Sequence, residues 1–265
     1  MKNNITIKDV AREAGVSVAT VSYVINERSD KRISDKTRKK VLQVVNLLGY
    51  TPNQSAKALA TNKSNMVALY VTPDFSTLKN AEQLHFMNFI SSFLHEKNYD
   101  LIYLSDSYKD KFDHADAILC YDISSEYFHQ IGNNNFAPLI AIDCMINDPL
   151  FFQINSDYAK IAQEAHAYFG SDNYTLCLLD TPNLERKKHL ETYFGKIVYV
   201  KELFELSTFS KKNVLVLEQT LYSCLRADNN ICYLPALSDK KAAVLLSCME
   251  NAIKRIPIEE HDVLV

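Results

Sequence analysis

From residue 66 onward the sequence alternates two kinds of segment, and that rhythm leaves few folds open. Short apolar runs rich in β-branched residues occupy 66–71, 101–104, 117–120, 139–142, 175–179, 197–200, 214–217 and 231–234. Helix-length patterns lie between them, at 82–96, 126–133, 158–168, 184–194 and 239–253. Several runs are apolar at every position, as strands covered on both faces must be. Strands and helices in alternation build parallel sheets with helices on both sides. The 200 residues from 66 to 265 suit two such lobes.

Residues 1–65 follow another pattern. Ile7, Val10, Ala11 and Ala14 recur at helical spacing, and Thr6 with Asp9 has the form of a capping box. Gly15 sits where the chain must leave that helix through a left-handed conformation. Ser17 is placed to cap a second helix whose inward positions are Val21, Val24 and Ile25. A third helix opens at Ser34, with Thr37 at the capping-box spacing, runs on Val41, Val44, Val45 and Leu48, and stops at Gly49. Two short helices around a glycine turn, braced by a third, make a helix-turn-helix unit.

An ordinary three-helix bundle would show the same pattern, and charge separates the two readings. Residues 1–65 hold twelve Lys and Arg against five acids, a charge of +7. The whole chain carries −3, so residues 66–265 carry −10. A basic unit attached to an acidic body is the footprint of phosphate binding. The second helix turns Ser17, Val18, Ala19, Thr20, Ser22 and Tyr23 outward, too small and polar for a core and without charge to solvate. Such a face lets the backbone approach base edges while basic neighbours hold phosphates. It reads as a recognition helix.

These residues also resemble a family. IKDVAREAGVSVATVSYVIN (7–26), ISDKTRKKV (33–41) and GYTPNQSAKALA (49–60) are similar to the headpiece of the lactose-repressor (LacI/GalR) family. The resemblance implies a double-stranded operator of two-fold symmetry bound by a homodimer. It implies DNA contacts from Thr6, Ser17, Val18, Ala19, Thr20, Ser22, Tyr23, Asn26, Ser34, Thr37 and Tyr50. It further implies that residues 52–61 form a hinge helix in the minor groove, with contacts from Asn53, Ala56, Lys57, Leu59 and Ala60. Leu59 would be the wedge that kinks the duplex. One position departs: the family often has Arg where Tyr23 stands, and Tyr23 cannot make the bidentate guanine contact. The organisation expected is thus a headpiece at 1–50, a hinge or linker at 51–65, and a core at 66–265 serving regulation and dimerisation.

For the core, the resemblance implies a truncated periplasmic-binding-protein-like pair of lobes around an effector cleft. Pro73-Asp74-Phe-Ser76, Ala115-Asp-Ala-Ile118, Pro138-Leu-Ile-Ala-Ile-Asp143, Asn155-Ser-Asp-Tyr-Ala159 and the closing run 258–264 fall in the family's order. Candidate effector contacts are Asp74, Asp143, Arg186 and Glu218. The clamp looks eroded, however. A helix between 105 and 115 is missing, the family's Asn-Asp corresponds to Glu218-Gln219, and its Gly-Phe-Asp-Asp is absent. Arg186 reads equally well as a helix-surface residue.

Enzyme chemistry finds little support. Glycine-rich phosphate loops, Gly-x-Ser-x-Gly and His-Glu-x-x-His are all absent, and the seven His lack metal-ligand spacing. The six Cys lie far apart, mostly in apolar runs, as small buried hydrophobes of a reduced protein do. Asp143 and Asp180 end strands near a cleft, where capping the next turn competes with ligand binding. No catalytic residue, metal or cofactor is expected. No signal peptide or run of the ~20 apolar residues that span a bilayer occurs, so a cytoplasmic protein is expected. Three readings stay open: a DNA-binding repressor with an effector, the same regulator controlled by a protein partner or by nothing, and a core enzyme carrying a DNA-binding headpiece.

Overall fold

The computed structural model describes residues 5–26, 28, 31–51, 63–72, 76–104, 111–112 and 114–265. They form two compact units, Met1–Ser64 and Asn65–Val265. In the smaller unit α1 (Ile7–Ala14), α2 (Val18–Ile25) and α3 (Asp35–Leu48) close on one apolar cluster. Val10, Ala11, Ala14, Val21, Val24, Val41 and Val44 are buried in it, with Ile7, Ile25, Val45, Leu48 and Tyr50 at its edge. So small a core leans on its helix ends. Thr6 donates to Asp9 Oδ2 from its N–H at 3.0 Å and its hydroxyl at 2.7 Å. The hydroxyls of Ser17 and Ser34 accept the N–H of Thr20 at 3.1 Å and Thr37 at 3.2 Å. Each such cap contributes about 1 kcal/mol. Gly15 and Gly49 both end their helices at φ 63°, where a Cβ would be strained.

The larger unit has two lobes. The first begins with β1 (Met66–Val71), α4 (Thr77–Glu96), β2 (Asp100–Leu104), β3 (Ala117–Tyr121), α5 (Ser125–Asn134), β4 (Leu139–Ile142) and β5 (Phe152–Asn155). The chain then crosses into the second lobe: α6 (Tyr158–Phe169), β6 (Thr175–Leu179), α7 (Leu184–Glu191), β7 (Ile197–Val200), a 3-10 helix (Leu203–Thr208), β8 (Asn213–Val216), α8 (Gln219–Leu225) and β9 (Asn230–Tyr233). It returns to the first lobe with α9 (Asp239–Ile253) and β10 (Asp262–Leu264).

Both sheets are parallel throughout, in the orders β10-β5-β4-β3-β1-β2 and β7-β6-β8-β9. Strand alternation sends successive side chains into different layers. Val67, Leu69 and Val71 join one cluster while Ala68 and Tyr70 join the other; in the second lobe Cys177 and Leu179 part from Leu176 and Leu178 in the same way. Both faces of each sheet are covered, which is why the runs are apolar throughout.

The eight strands read from the sequence all form, within one or two residues. The sequence reading lacked β5, α8 and the 3-10 helix, and it started α4 five residues late. The stretch read as a deleted helix lies partly outside the described residues; its described part, 111–112 and 114–115, is not helical. Of the cysteines only Cys224 is exposed. Among the described residues no helix is long and apolar enough to cross a membrane.

Candidate functional site

Two places concentrate exposed or buried chemistry, one in each unit. In the smaller unit, α2 is held by its cap and by Val21 and Val24, which fixes what points outward. Ser17 and Ala19 are exposed, Val18 is 40% exposed, and Thr20, Ser22 and Tyr23 are half-buried. The hydroxyls of Ser17 and Thr20 lie 2.9 Å apart, and the Asn26 amide donates to Ser22 O at 2.8 Å. This polar row is therefore ordered by local bonds. The ammonium of Lys31 stands 5.7 Å from the Tyr23 ring centroid, a cation held beside an otherwise neutral face.

The other sequence-derived contacts fall in different settings. Thr6 caps α1 together with Asp9, whose carboxyl the Thr6 hydroxyl and N–H hold below its ordinary value. Ser34 and Thr37 share the cap of α3, their hydroxyls 2.8 Å apart. Tyr50 is half-buried against the apolar cluster. Asn53, Ala56, Lys57, Leu59 and Ala60, with the rest of the hinge, lie outside the described residues, as does Asp74.

The second place is the seam between the lobes of the larger unit. In open parallel sheets ligands bind beyond the carboxyl ends of the strands, where the strand order reverses. Those ends meet here, and the side chains there bond to one another. Asp122 follows β3 and Asp143 follows β4, both in left-handed backbone at φ 49° and 50°. Asp122 accepts from Lys79 Nζ, from Arg186 Nη1 at 3.1 Å and from Thr181 Oγ1 at 2.6 Å. Arg186 Nε donates to Tyr158 Oη at 2.8 Å, and Lys79 Nζ also reaches Asp180 O at 2.8 Å. Lys241 Nζ pairs with Asp143 Oδ1 at 2.5 Å. Asn183 donates across the seam to Ile123 O at 3.0 Å and Met145 O at 3.1 Å.

Glu218, just before α8, accepts the Leu179 N–H at 3.3 Å, and its other oxygen is buried without a hydrogen-bond partner. Burial first, then the facing Glu82, pushes its carboxyl up to about 8. Burial thus favours the neutral acid over the charge that the sequence implies at Glu218. The space left among Lys79, Glu82, Asp122, Arg186 and Glu218 is about 20 Å³. That holds little more than one water, whereas small-molecule pockets run to about 300–1,000 Å³.

Of the effector candidates, Asp143, Arg186 and Glu218 do converge on this seam, and Asp143 and Arg186 are engaged by internal partners. Arg186 is not the helix-surface residue that was its other reading: it is 7% exposed. Asp180 lies at the rim, paired with Lys187 and Lys201. Sequence reasoning missed Lys79, Glu82, Asp122 and Lys241. Asp122 follows an apolar run as Asp143 does, which was a usable signal. The two lysines and Glu82 sit in helices like any solvated residue and gave none.

The family described as bacterial regulatory proteins, lacI family, matches residues 6–53. The HTH-type transcriptional regulator DegA of Bacillus subtilis is 58% identical over 71 residues, 27% of this chain and 20% of that protein. The probable HTH-type transcriptional repressor ExuR of the same organism is 30% identical over 177 residues, 62% of this chain and 51% of that protein. The matches therefore span at most about half the length of these relatives. Among solved structures, the Lac repressor dimer bound to operator and the anti-inducer ONPF aligns with 99% of this chain and 96% of its own, at TM-score 0.60 and 15% identity. At that identity the likeness is one of fold.

Proposed function

Because residues 6–53 belong to the lacI family of bacterial regulatory proteins, we propose that the chain is a sequence-specific DNA-binding transcriptional regulator that acts as a repressor. The observation that carries this reading is the uncharged outward face of α2, ordered by local bonds on a capped helix-turn-helix within a +7 segment. Val18, Ala19 and Ser22 meet base edges, and Ser17, Thr20 and Tyr23 flank them. Thr6, Asn26, Ser34, Thr37 and Tyr50 contact the backbone. The hinge, with Asn53, Ala56, Lys57, Leu59 and Ala60, lies in the minor groove. Two copies bind a pseudo-palindromic site in the cytoplasm, and the core is a binding and dimerisation body rather than an enzyme.

Selecting duplex fragments with the purified full chain tests this. The expected result is an inverted repeat, with log K falling against log salt more steeply than about −4, since each phosphate contact contributes about −0.9. Sites without two-fold symmetry, or a shallow slope, would overturn it.

A second reading concerns control. The ~20 Å³ seam favours a regulator governed by a protein partner, or by no effector, over one governed by a sugar.

A further inference from the structure

Two carboxyls face one small cavity from opposite lobes. Glu82 lies on α4 of the first lobe, and its Oε2 accepts the Thr220 N–H at the start of α8 at 2.9 Å. Glu218 belongs to the second lobe, and its Oε2 is buried with no partner. Lys79 on α4 and Arg186 on α7 line the same cavity, and Lys241 on α9 pairs with Asp143 elsewhere in the seam. Besides Glu218, the buried acids of the seam are Asp122, Asp143 and Glu82. Tyr121, Tyr158, Tyr233 and Cys177 are the neutral titratable neighbours. With Glu218 protonated the seam is neutral; with Glu218 ionised it carries one uncompensated negative charge. The cavity has room for little more than a single water, too little to hydrate a second carboxylate. The facing Glu82 makes a second charge at this cavity costly, and Glu218 is the group whose carboxyl is raised.

We propose that Glu82 and Glu218 form a proton-held latch between the two lobes, closed while Glu218 carries its proton and released as it ionises. Release frees Thr220 N–H from Glu82, the Ser76 hydroxyl from Lys201 O and the Lys79 ammonium from Asp180 O, the bonds that join α4 to the second lobe. Burial, with Glu82 next in weight, raises Glu218 to about 8. Burial also lowers Lys241, against the pull of its partner Asp143. Because opening releases a proton, its equilibrium constant grows by up to about tenfold per pH unit, levelling off near the raised pKa. The latch does not depend on the headpiece binding DNA.

Hydrogen exchange of the full chain between about pH 6 and about pH 8, corrected for intrinsic rates, tests the latch. Protection of the peptide covering 218–226 should fall at least about tenfold over that range, while β1 and β3 hold theirs. In Glu218→Gln protection should be independent of pH. Glu82→Gln, which removes the facing charge but keeps an acceptor for Thr220, should show a shallower fall that levels off at lower pH. This variant carries the test if Glu218→Gln does not fold. Unchanged protection in the wild type, an equal fall in β1 and β3, or variants that fall as steeply as the wild type would each overturn the proposal.

Discussion

Among its described residues the headpiece buries nothing charged: the seven buried ones are all Val or Ala, and polar groups are settled at helix ends. The core buries Lys79, Glu82, Asp122, Asp143, Arg186, Glu218 and Lys241, and nearly all of them meet at one seam. The contrast teaches what each kind of site requires. A surface that reads DNA needs correct exposure on a stable scaffold, which short-range caps and a few valines supply. A cleft that binds a small molecule needs polar groups left open toward space. Here most of those groups are satisfied by each other, Glu218 Oε2 excepted, and a water-sized cavity remains. A buried ionic network is also a poor source of net stability, since desolvation offsets much of its attraction, but losing one member is expensive.

That asymmetry gives the largest expected effect. Asp122→Ala leaves Lys79 and Arg186 buried without their shared anion, and should destabilise the core by about 3–5 kcal/mol in denaturant unfolding, with headpiece melting unchanged. A loss under about 1 kcal/mol would show that the seam is looser than its bonds imply.

Next is the pH dependence. Glu218 has a raised folded-state value, so its stabilising contribution is complete below about pH 4.5 and is lost as pH rises towards about 8. Relative to Glu218→Gln, the wild type should lose up to about 1.4 kcal/mol per pH unit across that window. Parallel stability curves for the two proteins would contradict this.

Gly15→Ala sharpens the other side of the comparison. At φ 63° a Cβ costs about 1–2 kcal/mol, and the loss should appear in headpiece melting alone. Leu59→Ala should have the smallest effect on folding. In the role proposed for Leu59, a minor-groove wedge acting on the duplex, its loss should leave melting unchanged while reducing DNA bending. An unaltered bend angle would make the segment a plain linker.

The headpiece was legible in the sequence down to single residues. Its signals are local: Thr6, Gly15, Ser17, Ser34 and Gly49 act within three or four positions of where they stand. The strands were legible because burial on both faces leaves a continuous apolar run. β5 was not, because Gln153 interrupts a four-residue strand, and α8 has only seven residues, too few to display a period. The seam was legible only in part. Arg186, Asp143 and Glu218 stood out by resemblance, but their partners Lys79 and Lys241 look in sequence like any exposed helical lysine. What buries them is packing between elements distant in the chain, with partners 43 to 101 positions apart. No local pattern encodes that.

We propose that this chain joins a DNA-reading surface to a core whose cleft is filled by its own charges. The most direct measurement follows melting of the core and affinity for a selected DNA site together, while common mono- and disaccharides are added to millimolar concentration. A ligand at 100 times its dissociation constant stabilises the folded state by ~2.7 kcal/mol, well within reach of a thermal-shift assay. The expected result is tight, salt-dependent DNA binding with neither quantity moved by any sugar. A sugar that raises the melting temperature of the core and changes its affinity for DNA would contradict it.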